Sequence, residues 1–253
     1  MVLHKVSRLL KKLGSLRHPP TDTLEMWAAR HKRFVEDDVR KVLPFIPDGG
    51  RFVDIGANVG LFTECLIAER PAIHATLFEP VERYWQACCD RFAGNGNVEI
   101  HRLGVGNEAG PVTIYKAAHN YGANSVMEDI MFDRRENSEV CEDTVIESEE
   151  IEVVVFSEFA RQNNMAGVDL IKTDTEGYDF AVLEGMIPWL SEQERLPVIF
   201  SELLAKDYHP RWERQVAVVE QLTALGYQPI DLSALAKIDD VLFLPVGHPA
   251  AGA

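Results

Sequence analysis

Phe52-Val53-Asp54-Ile55-Gly56-Ala57-Asn58-Val59-Gly60-Leu61-Phe62-Thr63 runs from a short apolar stretch through an acid, two glycines and an asparagine into a second apolar pattern. A buried parallel strand that hands over to a helix around a nucleotide-like ligand reads this way. Gly56 and Gly60 lack the Cβ that would hold a ligand off the backbone, and Asn58 tolerates a positive φ. Ala57 between them is counted with the cofactor-binding residues of this loop. The helix that follows offers free N–H groups and the positive end of its dipole. Nineteen residues after Gly60, Glu79 closes another apolar run, Ala75-Thr76-Leu77-Phe78. An acid at that place can accept both hydroxyls of a ribose.

The loop narrows the choice of nucleotide. Dinucleotide sites use three glycines spaced G-x-G-x-x-G, whereas here Asn58 and Leu61 fill the second and third positions. No pyrophosphate cradle is formed. Asp54 also sets a carboxylate where a phosphate is unwelcome and an ammonium is welcome. S-adenosylmethionine carries an amino group, a sulfonium and no phosphate, so it fits better than NAD. The bland alternative is an ordinary strand-turn-helix with a glycine turn.

A second stretch, Asp169-Leu170-Ile171-Lys172-Thr173-Asp174-Thr175-Glu176-Gly177-Tyr178-Asp179, is another buried-strand pattern that ends in clustered carboxylates. Taken with Asp54 to Gly60, Phe78-Glu79-Pro80 and Val182-Leu183-Glu184-Gly185, it resembles the FkbM-type methyltransferase family over roughly residues 53–202. Thr175 stands where many relatives carry an aliphatic residue. The resemblance implies a class I, S-adenosylmethionine-dependent methyltransferase, usually acting on a hydroxyl of a sugar, glycan or related natural product. It says little about which one.

Composition sets the outer limits. A chain of 253 residues, 46% hydrophobic and 26% charged, suits one soluble domain with appendages. A formal charge of −15 argues against nonspecific nucleic-acid binding, which needs Lys and Arg on phosphates. Cys65, Cys88, Cys89 and Cys141 lack zinc spacing and read as buried, reduced thiols of a cytoplasmic protein. No stretch has the length of a membrane span, and the basic N-terminus lacks a signal-peptide core. Lys5, Arg8, Lys11, Lys12 and Arg17 precede the first acid, Asp22, while Val2, Val6, Leu9, Leu10 and Leu13 share a helical face. Residues 1–20 therefore read as a basic amphipathic segment, either solvated or able to touch the inner face of a membrane or a partner subunit.

Leu24, Trp27, Val35, Val39 and Val42 place a helical lead-in over 21–50, broken by Pro44, Pro47 and Asp48-Gly49-Gly50. Strands and helices then alternate from 51 to 248. The expected fold is a Rossmann-like α/β methyltransferase domain: a mostly parallel seven-stranded sheet with an antiparallel strand at its edge, and helices on both faces. Residues 116–151 interrupt the alternation with an acid-rich stretch, an insertion or a lid, of which His119 to Ser125 is favoured as a pocket edge.

Ligands of such a sheet sit beyond the carboxyl ends of its strands. Asp54, Glu79, Asp174 and Glu202 each end an expected strand. Asp54 and Glu79 are assigned to the cofactor, Val105 and Gly106 to the flank of the adenine, and Asp174 with Glu176 to the reacting centre, where an alcohol must lose a proton. His119 and His209 are alternative bases. A Mg²⁺-like site on Asp174, Glu176 and Glu202 lacks a completing His or Asn, so no metal is expected. Two other readings stay open: an NAD-dependent oxidoreductase, and a non-catalytic cofactor-binding scaffold in a larger complex.

Overall fold

The computed structural model describes residues 23–117, 121–122, 124–130, 146–231 and 238–248. The basic segment 1–20, His119, Cys141 and the centre of the acidic stretch lie outside them. Helix α1 (Leu24–Val42) comes first, its N-cap Thr23 accepting from the Met26 N–H at 3.2 Å, with Arg40 and Lys41 in its last turn. A 3₁₀ turn at Leu43–Phe45, carrying Pro44, stops it.

Strand β1 (Arg51–Ile55), α2 (Leu61–Glu69), β2 (His74–Phe78), α3 (Glu82–Arg91) and β3 (Val98–His101) follow as two βα units and a strand. Next come β4 (Gly104–Gly106), β5 (Gly110–Ala117), β6 (Asn124–Ser125) and β7 (Ile146–Val155). The chain resumes its alternation with α4 (Phe156–Gln162), β8 (Leu170–Thr173), α5 (Asp179–Leu190), β9 (Val198–Leu204) and α6 (Trp212–Ala224), and closes on β10 (Tyr227–Asp231) and β11 (Ile238–Pro245).

The main sheet has seven strands in the order β10-β11-β9-β8-β1-β2-β3. All pairings from β9 to β3 are parallel, and β11 is antiparallel to both neighbours. The antiparallel strand expected at this edge is therefore β11, with β10 outermost. This is the class I, Rossmann-like methyltransferase arrangement.

Alternation along the strands divides the core. Phe52, Leu77, Leu170, Val198 and Leu242 pack with α1, α2 and α3, while Val53, Phe78, Ile171, Ile199 and Phe243 pack with α4, α5 and α6. Both faces are covered, which is why these strands read as nearly continuous apolar runs.

The stretches around 111–115 and 152–156 do not join this sheet. They belong to β5 and β7, which form an antiparallel pair within a separate four-stranded sheet, β4-β7-β5-β6. The alternating polar pattern of β7, Ile146 to Val155, is the half-solvated signature that a buried parallel strand lacks. Part of the acid-rich stretch is thus strand: Glu149 accepts from Lys116 Nζ at 2.8 Å and from Arg102 and the Glu82 N–H at 3.2 Å, pinning the hairpin to the main domain.

Candidate active site

Sheet register builds the site. Phe78 pairs with Ile55, Ile55 with Thr173, Thr173 with Ser201, and Ser201 with Val241. One residue further towards the carboxyl edge, the same rung holds Glu79, Gly56, Asp174, Glu202 and Asp240. Asp240 belongs because β11 runs the other way, pairing it directly with Glu202. All five line a cavity of ≈ 250 Å³. Adjacent strands lie ~4.8 Å apart, so the row spans about 19 Å. Side-chain alternation points it to the face covered by α1, α2 and α3, and Trp27, Val35 and Asp38 of α1 line the same cavity.

Glu79 is held from the main chain. Its Oε2 accepts from the Asn58 N–H at 2.8 Å and its Oε1 from the Val81 N–H at 2.9 Å. Burial pushes its carboxyl up to about 8, against the pull of those two N–H groups and of Lys172. Each oxygen keeps acceptor capacity for a ligand hydroxyl. Asn58 takes the left-handed conformation (φ 51°), and its side chain donates to the Tyr121 carbonyl at 2.7 Å while accepting from the Val59 N–H at 2.8 Å. Ala57, Val59, Leu103 and Val105 line the same cavity.

Asp54 lies elsewhere. It is fully buried two rungs below the row, paired in register with Lys172, and is not among the residues that line the cavity. Its Oδ2 accepts from the Thr63 hydroxyl at 2.7 Å, and Lys172 Nζ lies 3.2 Å from its Oδ1. An acid inside the strand, rather than one residue past it, turns its charge into the core. Gly60 is also beneath the wall: it is the left-handed N-cap of α2 (φ 74°) and packs on Phe92 and Cys88. Gly106 packs under Tyr178, and its carbonyl is met by the α5 backbone at Gly185.

Gly56 does line the cavity, but its missing Cβ has a structural cause. At φ 75° a Cβ would sit inside the Asp174 carbonyl, so the turn after β1 needs glycine for the close approach of the chain after β8.

Lys172 is the charged residue at the centre. Its Nζ donates to the Gly56 carbonyl at 2.8 Å, pairs with Asp54, and lies 3.7 Å from Asp174 Oδ2. Burial alone would lower its pKa, but the carboxylates of Asp54, Asp174 and Asp179 outweigh it and hold the ammonium above its ordinary value. Asp174 is partly open, its side chain 38% exposed. Glu176 adopts a left-handed backbone (φ 56°), and its carbonyl accepts from the Ser125 hydroxyl at 2.9 Å. Residues 124–130 thereby dock over the loop after β8, with Ile130 against Gly177. Below, Asp179 accepts from the Thr175 N–H with both oxygens at 3.1 and 3.2 Å, and burial raises its carboxyl to about 6.

Lys172, Asp240, Trp27 and Asp38 were not singled out for the site by sequence reasoning. Lys172 stood inside the quoted motif, and Asp240 could have been found as an acid at the leading end of an antiparallel strand. His209 is buried against Phe180, its rings 5.2 Å apart, and its pKa is lowered by burial. Gly122, Asn124 and Val126 line the cavity. Among the described residues no three His, Cys, Asp or Glu side chains converge to hold a metal ion, and no helix is long and apolar enough to cross a membrane.

Fold and site together define a class I methyltransferase. The family described as the methyltransferase FkbM domain matches residues 54–229, and the chain belongs to that family. No curated protein matches it in sequence. Among solved structures it is similar to precorrin-6y C5,15-methyltransferase from Geobacter metallireducens, at 10% identity over 85% of this chain and 86% of that one, TM-score 0.44. It is similar also to the Methanococcus jannaschii fibrillarin pre-rRNA processing protein (13% identity, 82% and 70% coverage, TM-score 0.47). An rRNA methylase from Streptococcus thermophilus is a third (11%, 85% and 94%, TM-score 0.45).

S-adenosylmethionine is the methyl donor that the family implies, and the donor set suits it. A carboxyl with spare acceptor capacity faces the cavity at Glu79, and the sole lysine among its described lining residues, Lys172, is occupied by Asp54 and a carbonyl. A ribose finds a partner there and a pyrophosphate does not.

Proposed function

We propose that this protein transfers a methyl group from S-adenosylmethionine to a hydroxyl oxygen of a sugar, glycan or related natural product. The observation that carries the reading is the charge of the cavity. Among the described residues Asp38, Asp174, Glu176, Glu202 and Asp240 line it, with Glu79, whose carboxyl burial raises to about 8, against Lys172. Carboxylates accept from hydroxyls and repel the phosphates of nucleic acid.

S-adenosylmethionine supplies a methyl carbon activated by its sulfonium. The acceptor oxygen takes that carbon, the C–S bond breaks to leave a neutral thioether, and the hydroxyl proton passes to a carboxylate. Glu79 and the Asn58 turn hold the ribose end. Asp174, the next acid in the row and partly open, is the group that takes the proton, and Lys172 Nζ, 3.7 Å from its Oδ2, orients it. Glu176 stands two residues on as its partner in binding the hydroxyl.

Calorimetry with S-adenosylmethionine and with NADH, followed by transfer of labelled methyl to saccharides, lipids, small metabolites and RNA, tests this. The expected result is binding of the first cofactor alone and an ether-linked methyl on a saccharide or related alcohol. Binding of NADH alone, or of neither cofactor, overturns the methyltransferase reading. Label on RNA or on nitrogen overturns the acceptor class.

A further inference from the structure

We infer that the second sheet lays a strap, Tyr121, Gly122 and residues 124–130, across the donor half of the cavity, and that the middle of this strap must lift before S-adenosylmethionine can enter or leave. The inference rests on the S-adenosylmethionine reading above and adds how that site opens and shuts.

The row at the carboxyl edge has two halves. Glu79, Gly56 and Asp174 cover about 10 Å at ~4.8 Å per strand, so the donor half lies over β2, β1 and β8. Gly122, Asn124 and Val126 line the same cavity as these three residues, with Ile114 and Ile151 of the second sheet. The strap is tied on the β1 side by Asn58, whose N–H holds Glu79 and whose Nδ2 donates to the Tyr121 carbonyl at 2.7 Å. Beside it the Arg83 guanidinium lies 4.6 Å from the Tyr84 ring and 5.2 Å from the Tyr121 ring, and the Tyr84 hydroxyl donates to Asn124 Oδ1 at 3.4 Å. On the β8 side the buried Ser125 hydroxyl donates to the Glu176 carbonyl at 2.9 Å. A segment bonded both to the turn after β1 and to the loop after β8 bridges the donor half.

Its two ends are anchored differently from its middle. Before the strap, β5 is pinned by Lys116 on Glu149 at 2.8 Å, the same carboxylate that holds Arg102 and the Glu82 N–H. At its far end Met127 and Ile130 are buried with Phe180, Ala181 and Leu204. Between these anchors Asn58, Tyr84 and Ser125 hold it with neutral hydrogen bonds, which are about half as strong as charge-assisted ones. Tyr121 and Val126 are only partly buried, and β6 meets β5 through two residue pairs, Ser125 with Tyr115 and Asn124 with Lys116. The middle is therefore the part that yields. Its release also frees the carbonyl of Glu176, a residue held in the left-handed conformation (φ 56°) that a non-glycine side chain disfavours. The motion that admits the donor thus loosens the reacting loop, and closure over the donor sets it again.

The test follows S-adenosylhomocysteine binding to the full-length protein by stopped-flow tryptophan fluorescence, with Trp27 in the cavity wall as a reporter, and by calorimetry at equilibrium. In the wild type the observed association rate should level off as ligand concentration rises, because lifting of the strap then limits entry. Ser125→Ala should raise that ceiling and the dissociation rate together, each about fivefold, with less than about a twofold change in Kd. Tyr121→Ala should raise both further, and Tyr121→Phe, which keeps the ring beside Arg83, less. A Kd close to the wild type's shows that a variant is folded. Wild-type rates in Ser125→Ala and Tyr121→Ala overturn the inference. So does faster dissociation with unchanged association, the mark of a lost ligand contact rather than of a released strap. Absence of S-adenosylhomocysteine binding in the wild type would overturn the donor reading and the inference with it, whereas unchanged rates strike the inference alone.

Discussion

The two halves of the row are built from different materials. In the half proposed for the donor the main chain fixes the loop: it holds Glu79 by two backbone N–H groups, and Gly56 and Ala57 by the Phe78 carbonyl at 3.0 and 3.1 Å. Lys172 locks the Gly56 carbonyl from below. Towards β11 the fixing bonds run between side chains, chiefly Lys41 with Asp38 and Asp240, which are 18–32% exposed. Main-chain geometry cannot be exchanged one residue at a time, whereas side-chain pairs can.

The largest effect should come from removing the charge under the donor half. Lys172→Met leaves Asp54 buried at 0% exposure without its partner. Stripping one member of a buried pair costs about 3–5 kcal/mol, read as a fall in unfolding free energy in urea. Adding Asp54→Asn should recover much of it, since a neutral amide can still bond Thr63. If Lys172→Met melts like the wild type, the donor half is not held together from beneath.

Asp174 stands at the boundary between the halves. Asp174→Asn keeps its shape and removes its charge, so turnover should drop by roughly the 10²–10⁴-fold of general-base loss, while cofactor affinity is kept. Glu176→Gln, off the row, should cost less. Wild-type turnover in both variants would leave the reacting centre without a base.

The donor half was the more legible in sequence because its devices are local. A glycine turn after a strand and an acid just past the next strand are short-range patterns, and both Asn58 and Glu79 could be placed from them. The seven-stranded sheet was legible for the same reason. Asp54 was misplaced because the pattern does not show whether an acid sits on the last rung or two below it. Gly56 illustrates a second limit: its glycine answers to the Asp174 carbonyl, a contact 118 residues away in sequence. Asp240 meets Lys41 of α1 only through tertiary packing. The second sheet was hidden because β5 and β7 are separated by the acid-rich stretch.

Glu79→Gln tests the donor half alone. It keeps one acceptor oxygen and loses the charge, so S-adenosylmethionine should bind at least about tenfold more weakly, given 1.5–3 kcal/mol for each charge-assisted bond. Unaltered cofactor affinity would remove the ribose assignment.

The same carboxyl should leave a smaller mark on stability against pH. Its folded value, about 8, lies above the ordinary 4.5 because burial favours the neutral form. Between those values the folded state holds a proton that the unfolded state has lost, so stability falls as pH rises. The contribution is complete below 4.5 and gone once pH has passed about 8. Asp179, raised to about 6 from 3.8, acts in the same direction but only over the lower part of that range. Above pH 6 the carboxyl part of the slope therefore belongs to Glu79, at no more than about 1.4 kcal/mol per pH unit, while His101, His209 and His248, lowered from 6.5 by burial, act in the opposite direction near pH 6. Urea unfolding at pH 6, 7 and 8 should show the decline in wild type and a flatter line in Glu79→Gln. Saturating S-adenosylmethionine should flatten the wild-type line too, because two ribose hydroxyls favour the ionised carboxylate and lower its pKa. Parallel lines for wild type and Glu79→Gln would mean that Glu79 is already ionised in the folded protein, and that cofactor binding meets no proton there.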